Sequence, residues 1–230
     1  EMKESKKDFK FKHGTEFKFI PDTEIFEEFS NYDANEIEKD FEMRSYINKG
    51  VKNVFYLDGK KKKTFYHPEG IKELIQTYLK KPMIEEPIYI EKEVKSKSKE
   101  IENGIDHYEI VLSFDNKDEE KISSFVNGIP TSSGTHETGL KQSLTTVFNK
   151  YIKDNKLLPK KMENIEIKGE DIRSGLVAII NLKLTTTPNY KGQTKDELSN
   201  PEIRGIISRI ISAEMEAWFL SHPKEAKTLC

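Results

Sequence analysis

The chain has 230 residues, of which 34% are charged and only 35% belong to the hydrophobic set. Its 38 lysine and arginine residues face 40 aspartate and glutamate residues, so the formal net charge of −2 excludes a uniformly basic nucleic-acid-binding surface but allows a local basic patch. No run approaches the ~18 apolar residues of a membrane span, no secretory signal opens the chain, and the single cysteine, Cys230, indicates a reducing cytoplasm.

The first 80 residues carry clear local signals. Period-2 alternation predicts strands, a capping box predicts a helix start, and an Asp-Gly pair predicts a hairpin turn. On these signals we predict, in chain order, two strands within Phe9–Ile20, a short helix over Glu24–Phe29, a helix over Asp33–Ile47, a hairpin around Asp58-Gly59 and a helix over Ile71–Leu79. Lys80-Lys81-Pro82 cannot continue that helix, so we place a domain boundary there.

The remaining residues alternate between strand and helix patterns. Branched apolar runs predict strands, and apolar residues spaced three and four apart predict amphipathic helices. We predict strands at Ile88–Val94, Tyr108–Phe114 and Glu120–Val126, a loop at Asn127–Gly139, a helix from about Leu140 to Asn155, a central strand at Leu176–Leu184, a loop at Thr185–Asn200 and a long helix from Pro201 to Trp218.

The common catalytic signatures are absent from the sequence. It contains no GxGxxG, GxxxxGK[ST], HExxH, GxSxG or CxxC pattern. Its five histidines are scattered without metal-ligand spacing, so we expect no metal site among them. We expect Cys230 to be inert.

Two polar loops are the candidate sites. The loop Asn127–Gly139 is either a tight connection or an anion site formed by backbone amides at a helix start. The second loop follows the buried strand, in the position where ligands commonly bind. Its Gln193 and Lys195 are either solvated or suited to a phosphate, because an amide donates a directed hydrogen bond and an ammonium neutralises charge.

Several ordered motifs identify a family resemblance. They are HGTEFKFIPDTEIF (13–26), RSYINKGVKN (44–53), HPEGIKELI (67–75), EEPIYI (85–90), SFVNGIPTSSGTHETGLKQSL (124–144), GEDIRSGLVAIINLKL (169–184) and GQTKDELSNPEIR (192–204). Together they closely resemble the B subunits of bacterial type IIA DNA topoisomerases, which comprise the gyrase and topoisomerase IV B subunits. The resemblance covers nearly the whole chain, and GLKQ slightly favours topoisomerase IV.

The resemblance implies an α+β fold in two units. Residues 1–81 are similar to the C-terminal part of a GHKL-type ATP-binding domain, and residues 82–230 to a transducer domain that ends in a long helix. The transducer domain is expected to have a ribosomal-protein-like fold with a left-handed β-α-β crossover, against the usual right-handed preference.

The resemblance also implies site residues. In the family, a glutamine and a lysine of a QTK loop contact the γ-phosphate of ATP, and the corresponding residues here are Gln193 and Lys195. A threonine on a late strand of the ATP domain helps to recognise adenine, and Thr15 matches it. Lys141 matches a position that is usually basic and faces the cavity for transported DNA; a surface lysine is the alternative reading.

The function implied is ATP-dependent DNA strand passage by a cytoplasmic B subunit. The expected cofactor is ATP with Mg²⁺, whose ligands we expect in sequence preceding Glu1, so the isolated chain is expected to be inactive. The expected partners are the topoisomerase A subunit, double-stranded DNA without sequence specificity, and a second B subunit on ATP binding, without a membrane. The alternative is a non-enzymatic interaction domain of a mismatch-repair-like or chaperone-like GHKL protein.

Overall fold

A computed structural model describes residues 15, 17–18, 20–22, 24–25, 32–94, 104–162, 165 and 167–230. The two strands predicted within Phe9–Ile20 and the helix predicted over Glu24–Phe29 fall largely outside these residues. No helix in the described part of the chain is long and apolar enough to cross a membrane.

The described chain contains both helices and strands. In order they are α1 (Ala34–Ile47), β1 (Asn53–Leu57), β2 (Lys60–Phe65), α2 (Ile71–Tyr78), β3 (Ile88–Glu93), β4 (Ile105–Phe114), β5 (Lys121–Val126), β6 (Ile129–Thr131), β7 (Ser133–Gly134), α3 (Thr135–Asp154), a 3₁₀ turn (Lys160–Met162), α4 (Gly169–Ile172), β8 (Leu176–Leu184), β9 (Tyr190–Lys191), β10 (Glu197–Leu198), α5 (Pro201–Ser221) and α6 (Pro223–Leu229).

Three of the local predictions are confirmed: the capped start of α1, the Asp58-Gly59 hairpin and the helix that follows it. Asp33 caps α1 by accepting hydrogen bonds from the backbone amides of Asn35 and Glu36, at 2.8 and 3.4 Å. The hairpin β1–β2 turns at Asp58 and Gly59, which both have positive φ, as a type I′ turn requires. The helix predicted at Ile71–Leu79 is also present, one residue shorter.

The predicted loops are partly wrong. The segment Asn127–Gly139 contains the strands β6 and β7, and α3 begins at Thr135, about five residues earlier than predicted. The segment Thr185–Asn200 contains the strands β9 and β10. These strands are only two or three residues long, too short for a local periodicity to indicate them, and β7 and β10 pair with each other across more than 60 residues of sequence.

Among the described residues, a five-stranded mixed sheet in the order β3-β4-β8-β5-β6 forms the centre of the fold. Strand β8 is central, antiparallel to β4 and parallel to β5. Because β5 and β8 are parallel neighbours with α3 between them in sequence, they form a β-α-β crossover, and its handedness stays a prediction.

Helices cover both faces of this sheet. On one face, α3 and α5 pack together and against alternate residues of β8, with Phe148, Ile207 and Ile180 in one apolar core. On the other face, α1 and α2 bury Ile47 and Ile75 against the opposite side of β4 and β8. The elements before and after Lys81 therefore share a core, and the division into 1–81 and 82–230 stays a prediction.

Hydrogen bonds connect the predicted boundary at Lys80-Lys81 to the sheet. The carboxylate of Asp115, at the end of β4, accepts hydrogen bonds from the backbone amides of Lys80 and Lys81, each at 2.8 Å. Burial opposes the charge of Asp115, but these hydrogen bonds outweigh it and lower the pKa of the carboxyl group. The chain between α2 and β3 is thus a fixed connection.

Candidate functional site

The second candidate loop is the tip of a short hairpin. Strands β9 and β10 pair antiparallel, with Lys191 opposite Glu197, and the two side chains form an ion pair. Residues 192–196 form the turn between the two strands. We call β9, this turn and β10 the QTK hairpin. Gln193 and Lys195 are both exposed at its tip. The backbone of Lys195 has a φ of 61°, in the left-handed region that is uncommon for residues other than glycine and is typical of tight turns.

Backbone pairing anchors the QTK hairpin to the first candidate loop. Strand β10 pairs in parallel with β7, and the amide of Ser132 donates to the carbonyl oxygen of Asp196 at 2.8 Å. On the other side, the amide of Ser199 donates to the carbonyl oxygen of Asn189, also at 2.8 Å. The structure therefore joins the two loops that the sequence singled out.

Gly134 permits this close approach. A Cβ atom at Gly134 would lie 2.7 Å from the carbonyl oxygen and 2.8 Å from the amide nitrogen of Leu198, distances that side chains do not tolerate. Its φ of 151° is also unfavourable for other residues. Glycine at this position is thus required for β7 and β10 to pair.

Both long helices begin at this junction. Helix α3 starts directly after β7, and α5 starts at Pro201, three residues after β10 ends. Asn200, between β10 and α5, is buried, and its side-chain oxygen accepts a hydrogen bond from the amide of Asn189 at 2.8 Å. A displacement of the QTK hairpin would therefore act on the first turns of both helices.

A buried polar cluster lies under the start of α3. The hydroxyl of Ser124 donates to Glu137 at 2.5 Å, and Thr131 lies 3.2 Å from Nε2 of His136. Burial lowers the pKa of His136 to about 4. Burial also raises the pKa of Glu137, and the hydrogen bond from Ser124 opposes this rise. Because these side chains and the strands β6 and β7 fill the loop, the tight-connection reading of Asn127–Gly139 is favoured over an anion site.

Lys141 lies on an exposed face of α3 beside other basic residues. Its ammonium group pairs with Glu120 at 2.8 Å, and Glu120 also pairs with Arg173 at 3.2 Å. Arg204 of α5 donates to Gln142 at 2.8 Å. Lys141, Arg173 and Arg204 line an open groove of about 330 Å³ together with Thr138, Gln142, Thr145 and Thr146. Sequence reasoning missed the two arginines because neither is near Lys141 in the chain.

The remaining candidates stand apart from this region. Thr15 is exposed, and no hydrogen bond or ion pair between described residues links it to the QTK hairpin. Cys230 is half-buried, and burial raises the pKa of its thiol to about 11. Within the described ranges, no group of three His, Cys, Asp or Glu side chains could hold a metal ion.

Comparison with known proteins decides the family. The family model described as DNA gyrase B matches residues 70–230, more than half of the chain.

The chain belongs to the DNA gyrase B family.

Curated members of the DNA gyrase B family match almost the whole chain. The DNA gyrase B subunit of Clostridium acetobutylicum is 36% identical over 219 residues, which cover 94% of this chain and 32% of that protein. The DNA gyrase B subunit of Mycoplasmoides gallisepticum is 35% identical over 225 residues, covering 94% of this chain and 34% of that protein. The chain thus spans about a third of the length of these relatives.

Solved structures share the fold. The 43K ATPase domain of Thermus thermophilus gyrase B has a TM-score of 0.71 at 23% identity, covering 91% of this chain and 54% of that one. The topoisomerase IV ATP-binding domain of Francisella tularensis also has a TM-score of 0.71, at 24% identity, covering 89% of this chain and 53% of that one. The predicted α+β fold of the DNA gyrase B family is confirmed, and the interaction-domain alternative is not favoured.

Proposed function

We propose that this chain is part of the B subunit of an ATP-dependent type II DNA topoisomerase and couples ATP binding and hydrolysis to DNA strand passage. The observation that carries the proposal is the QTK hairpin, which presents Gln193 and Lys195 at an exposed tip and is anchored at the start of both long helices. In the complete enzyme the subunit acts with a topoisomerase A subunit.

Gln193 and Lys195 suit a terminal phosphate. Among the described residues no carboxylate forms an ion pair with Lys195, so its full charge is available to an anion, whereas Lys191 of the same hairpin is paired with Glu197. The Gln193 amide supplies a directed neutral donor. ATP bound with Mg²⁺ in the full-length subunit would supply the phosphoryl group that passes to water and leaves ADP, and Lys195 would stabilise negative charge on the phosphoryl oxygens.

The same contact provides the coupling. The contact of Lys195 and Gln193 with the γ-phosphate exists only until ATP is hydrolysed. Hydrolysis therefore removes the attraction between the QTK hairpin and the nucleotide. Because β7 and β10 lead directly into α3 and α5, release of the hairpin changes the favoured position of both helices.

We propose two further contacts. Thr15 contributes its hydroxyl to adenine recognition. Lys141, with Arg173 and Arg204, contacts backbone phosphates of the transported duplex without reading its sequence. Glu120 neutralises part of this basic surface, so the attraction to DNA is moderate. Two B subunits associate when ATP binds.

The phosphate assignment is tested by Lys195→Ala in the full-length subunit that contains this chain. The subunit is reconstituted separately with a gyrase-type and a topoisomerase IV-type A subunit, and supercoiling, relaxation and decatenation are assayed. We expect ATP-driven strand passage to be abolished and ATP turnover to fall by about 100-fold or more, because a preorganised charge at the transferred phosphate is lost.

Lys191→Ala is the matched control. Lys191 is an exposed lysine on the same hairpin, but its charge is already paired with Glu197, so its removal should leave turnover within about twofold of the unchanged protein. Near-normal turnover in Lys195→Ala would refute the phosphate contact.

A further inference from the structure

The face of the sheet that packs against α1 and α2 contains an unexpected polar island. Most of its residues are apolar, including Val111 of β4 and Ile179 of β8. Glu109 and Asn181 lie on the same face, two residues from each of these, and each is only 2% exposed. A buried carboxylate and amide at an otherwise apolar interface are costly unless hydrogen-bond partners meet them there.

The partners connect the sheet to the end of α1. The Asn181 side-chain nitrogen donates to the carbonyl oxygen of Ile47, the last residue of α1, at 3.0 Å, and to Glu109 at 3.3 Å. The hydroxyl of Tyr89 on β3 donates to the other oxygen of Glu109 at 2.7 Å. Three neighbouring strands thus form one polar chain that ends on the helix.

A second link runs from the same tyrosine to the helices. The Tyr89 hydroxyl also lies 2.9 Å from Glu91, whose carboxylate pairs with Lys49 at 3.1 Å. The ammonium group of Lys72 on α2 lies 4.2 Å from the centre of the Tyr89 ring, within range of a cation–π contact. We call Tyr89, Glu91, Glu109 and Asn181, with the Ile47 carbonyl, Lys49 and Lys72, the polar junction.

The polar junction has two alternative hydrogen-bond arrangements. The Tyr89 hydroxyl carries one proton but lies within hydrogen-bond distance of two carboxylates, so it can donate to Glu109 or to Glu91 but not to both. Burial, followed by the contacts with these two carboxylates, raises the pKa of Tyr89, so the hydroxyl keeps its proton. In one arrangement the Tyr89 hydroxyl donates to the buried Glu109, and in the other it donates to Glu91, which pairs with Lys49.

The position of Asn181 connects this junction to the QTK hairpin. Asn181 lies three residues before the end of β8, and the chain continues from Leu184 into β9. The end of β8 is held in place, because the side chain of Asn127 accepts a hydrogen bond from the amide of Leu184 at 2.7 Å. Asn181 thus lies on the strand that leads, through residues 185–189, to the QTK hairpin.

We propose that Asn181, Glu109 and Tyr89 are positioning residues that link α1 to the QTK hairpin through β8, so that the ATP-binding part and the transducer part move together. This inference rests on the proposed function and assigns a coupling role to polar contacts between the two parts, on the sheet face opposite α3 and α5. Removing one partner of a buried hydrogen bond lowers stability by itself, so urea denaturation of each variant separates a role in folding from a role in coupling.

The test uses the full-length subunit with its A subunit and measures duplexes passed per ATP hydrolysed. Asn181→Leu keeps the side-chain volume but removes both hydrogen bonds, and we expect the ratio to fall about tenfold, a typical coupling energy, while ATP turnover changes by less than about threefold. Tyr89→Phe keeps the ring beneath Lys72 and removes only the hydroxyl, so a smaller fall in the same ratio is expected.

Ile179→Val is the matched control. It removes one methyl group two residues earlier on the same face of β8 and leaves the polar junction intact, so the ratio should not change. An unchanged ratio in both Asn181→Leu and Tyr89→Phe, or an equal fall in Ile179→Val, would overturn the inference. If Asn181→Leu does not fold, Tyr89→Phe decides. An unsubstituted enzyme without ATP-driven strand passage would instead refute the proposed function on which the inference depends.

Discussion

His136 occupies a fully buried site at the start of α3, and its side chain is kept neutral by its surroundings. Its Nε2 atom lies beside Thr131, and its Nδ1 atom has no hydrogen-bond partner among the described residues. Burial lowers the pKa of this imidazole to about 4, from an ordinary value of 6.5. Protonation of His136 therefore opposes the folded state.

The low pKa of His136 makes the free energy of unfolding depend on pH. Between about pH 6.5 and pH 4 the unfolded chain binds a proton at His136 and the folded chain does not, so stability falls as the pH is lowered through this range. The full effect corresponds to about 3 kcal/mol in the free energy of unfolding. Urea denaturation of the chain at pH 7 and pH 5 should show the decrease.

His136→Gln isolates the contribution of the imidazole. Glutamine is neutral throughout this pH range, so the variant should lose stability less steeply than the unchanged chain between pH 7 and pH 5. The neighbouring Glu137 has a raised pKa and acts in the opposite direction, since its contribution is lost as the pH rises, and it is present in both proteins. Identical pH profiles would contradict a buried neutral His136.

The junction of β7 and β10 is the element on which the candidate site depends. It sets the position of the QTK hairpin relative to α3 and α5, and it exists because Gly134 has no side chain. Gly139 plays a related part further along α3, where a Cβ atom would lie 2.6 Å from the carbonyl oxygen of Arg204 on α5. The two glycines bring the start of α3 close to β10 and α5.

Gly134→Ala should destabilise the chain by about 2–3 kcal/mol, because the new methyl group overlaps the Leu198 backbone and cannot move away. Gly205→Ala on α5 is the matched control. Apart from the backbone of its own helix, no described atom lies within 4 Å of the Cβ position at Gly205, so alanine should stabilise the helix by about 0.5–1 kcal/mol. Urea denaturation measures both changes, and a neutral Gly134→Ala would show that β7 and β10 are not closely paired.

Elements with local signals could be predicted from the sequence, and elements made by distant pairing could not. Helix α1 was predictable because Asp33 and Gly50 mark its ends within the segment itself. The start of α3 was not, because Thr135, His136 and Gly139 resemble a turn unless the buried contacts of His136 are known. Lys195 could be selected from its motif, whereas the hairpin that presents it depends on β7, about 60 residues away.

On the scale of the whole molecule, the near-zero net charge of the sequence conceals an uneven distribution. Lys141, Arg173 and Arg204 gather on one groove although they come from separate parts of the chain, and no sequence window shows this cluster. The contact of α1 and α2 with the sheet is equally invisible in the sequence, because it joins segments on either side of the predicted boundary. Folding creates both features.

The DNA contact proposed for the basic groove leads to a prediction, which is tested on the full-length subunit reconstituted with an A subunit. For Lys141→Ala we expect weaker binding to all duplex sequences and a salt-dependence slope smaller by about one, as for loss of one phosphate contact. Glu120→Gln should strengthen binding, because it removes the carboxylate that pairs with Lys141 and Arg173. Affinity measured across a salt series tests both changes.

Lys150→Ala provides the control for this experiment. Lys150 lies on the same helix, nine residues after Lys141, and pairs with Glu216 outside the groove. Its replacement should leave the salt slope unchanged. An equal loss in Lys150→Ala would show that binding responds to total charge and not to the groove.

The central place of β8 has a consequence for how the chain acquires its structure. Lys121 of β5 pairs with Val177 of β8, and Phe114 of β4 pairs with Leu176, so both neighbours of β8 precede it in the sequence by more than 50 residues. During synthesis β4 and β5 emerge first and have an unpaired edge until β8 follows. Both strands are apolar and cannot complete the sheet until β8 has been synthesised. We therefore expect the sheet to form slowly and the nascent chain to need protection from aggregation.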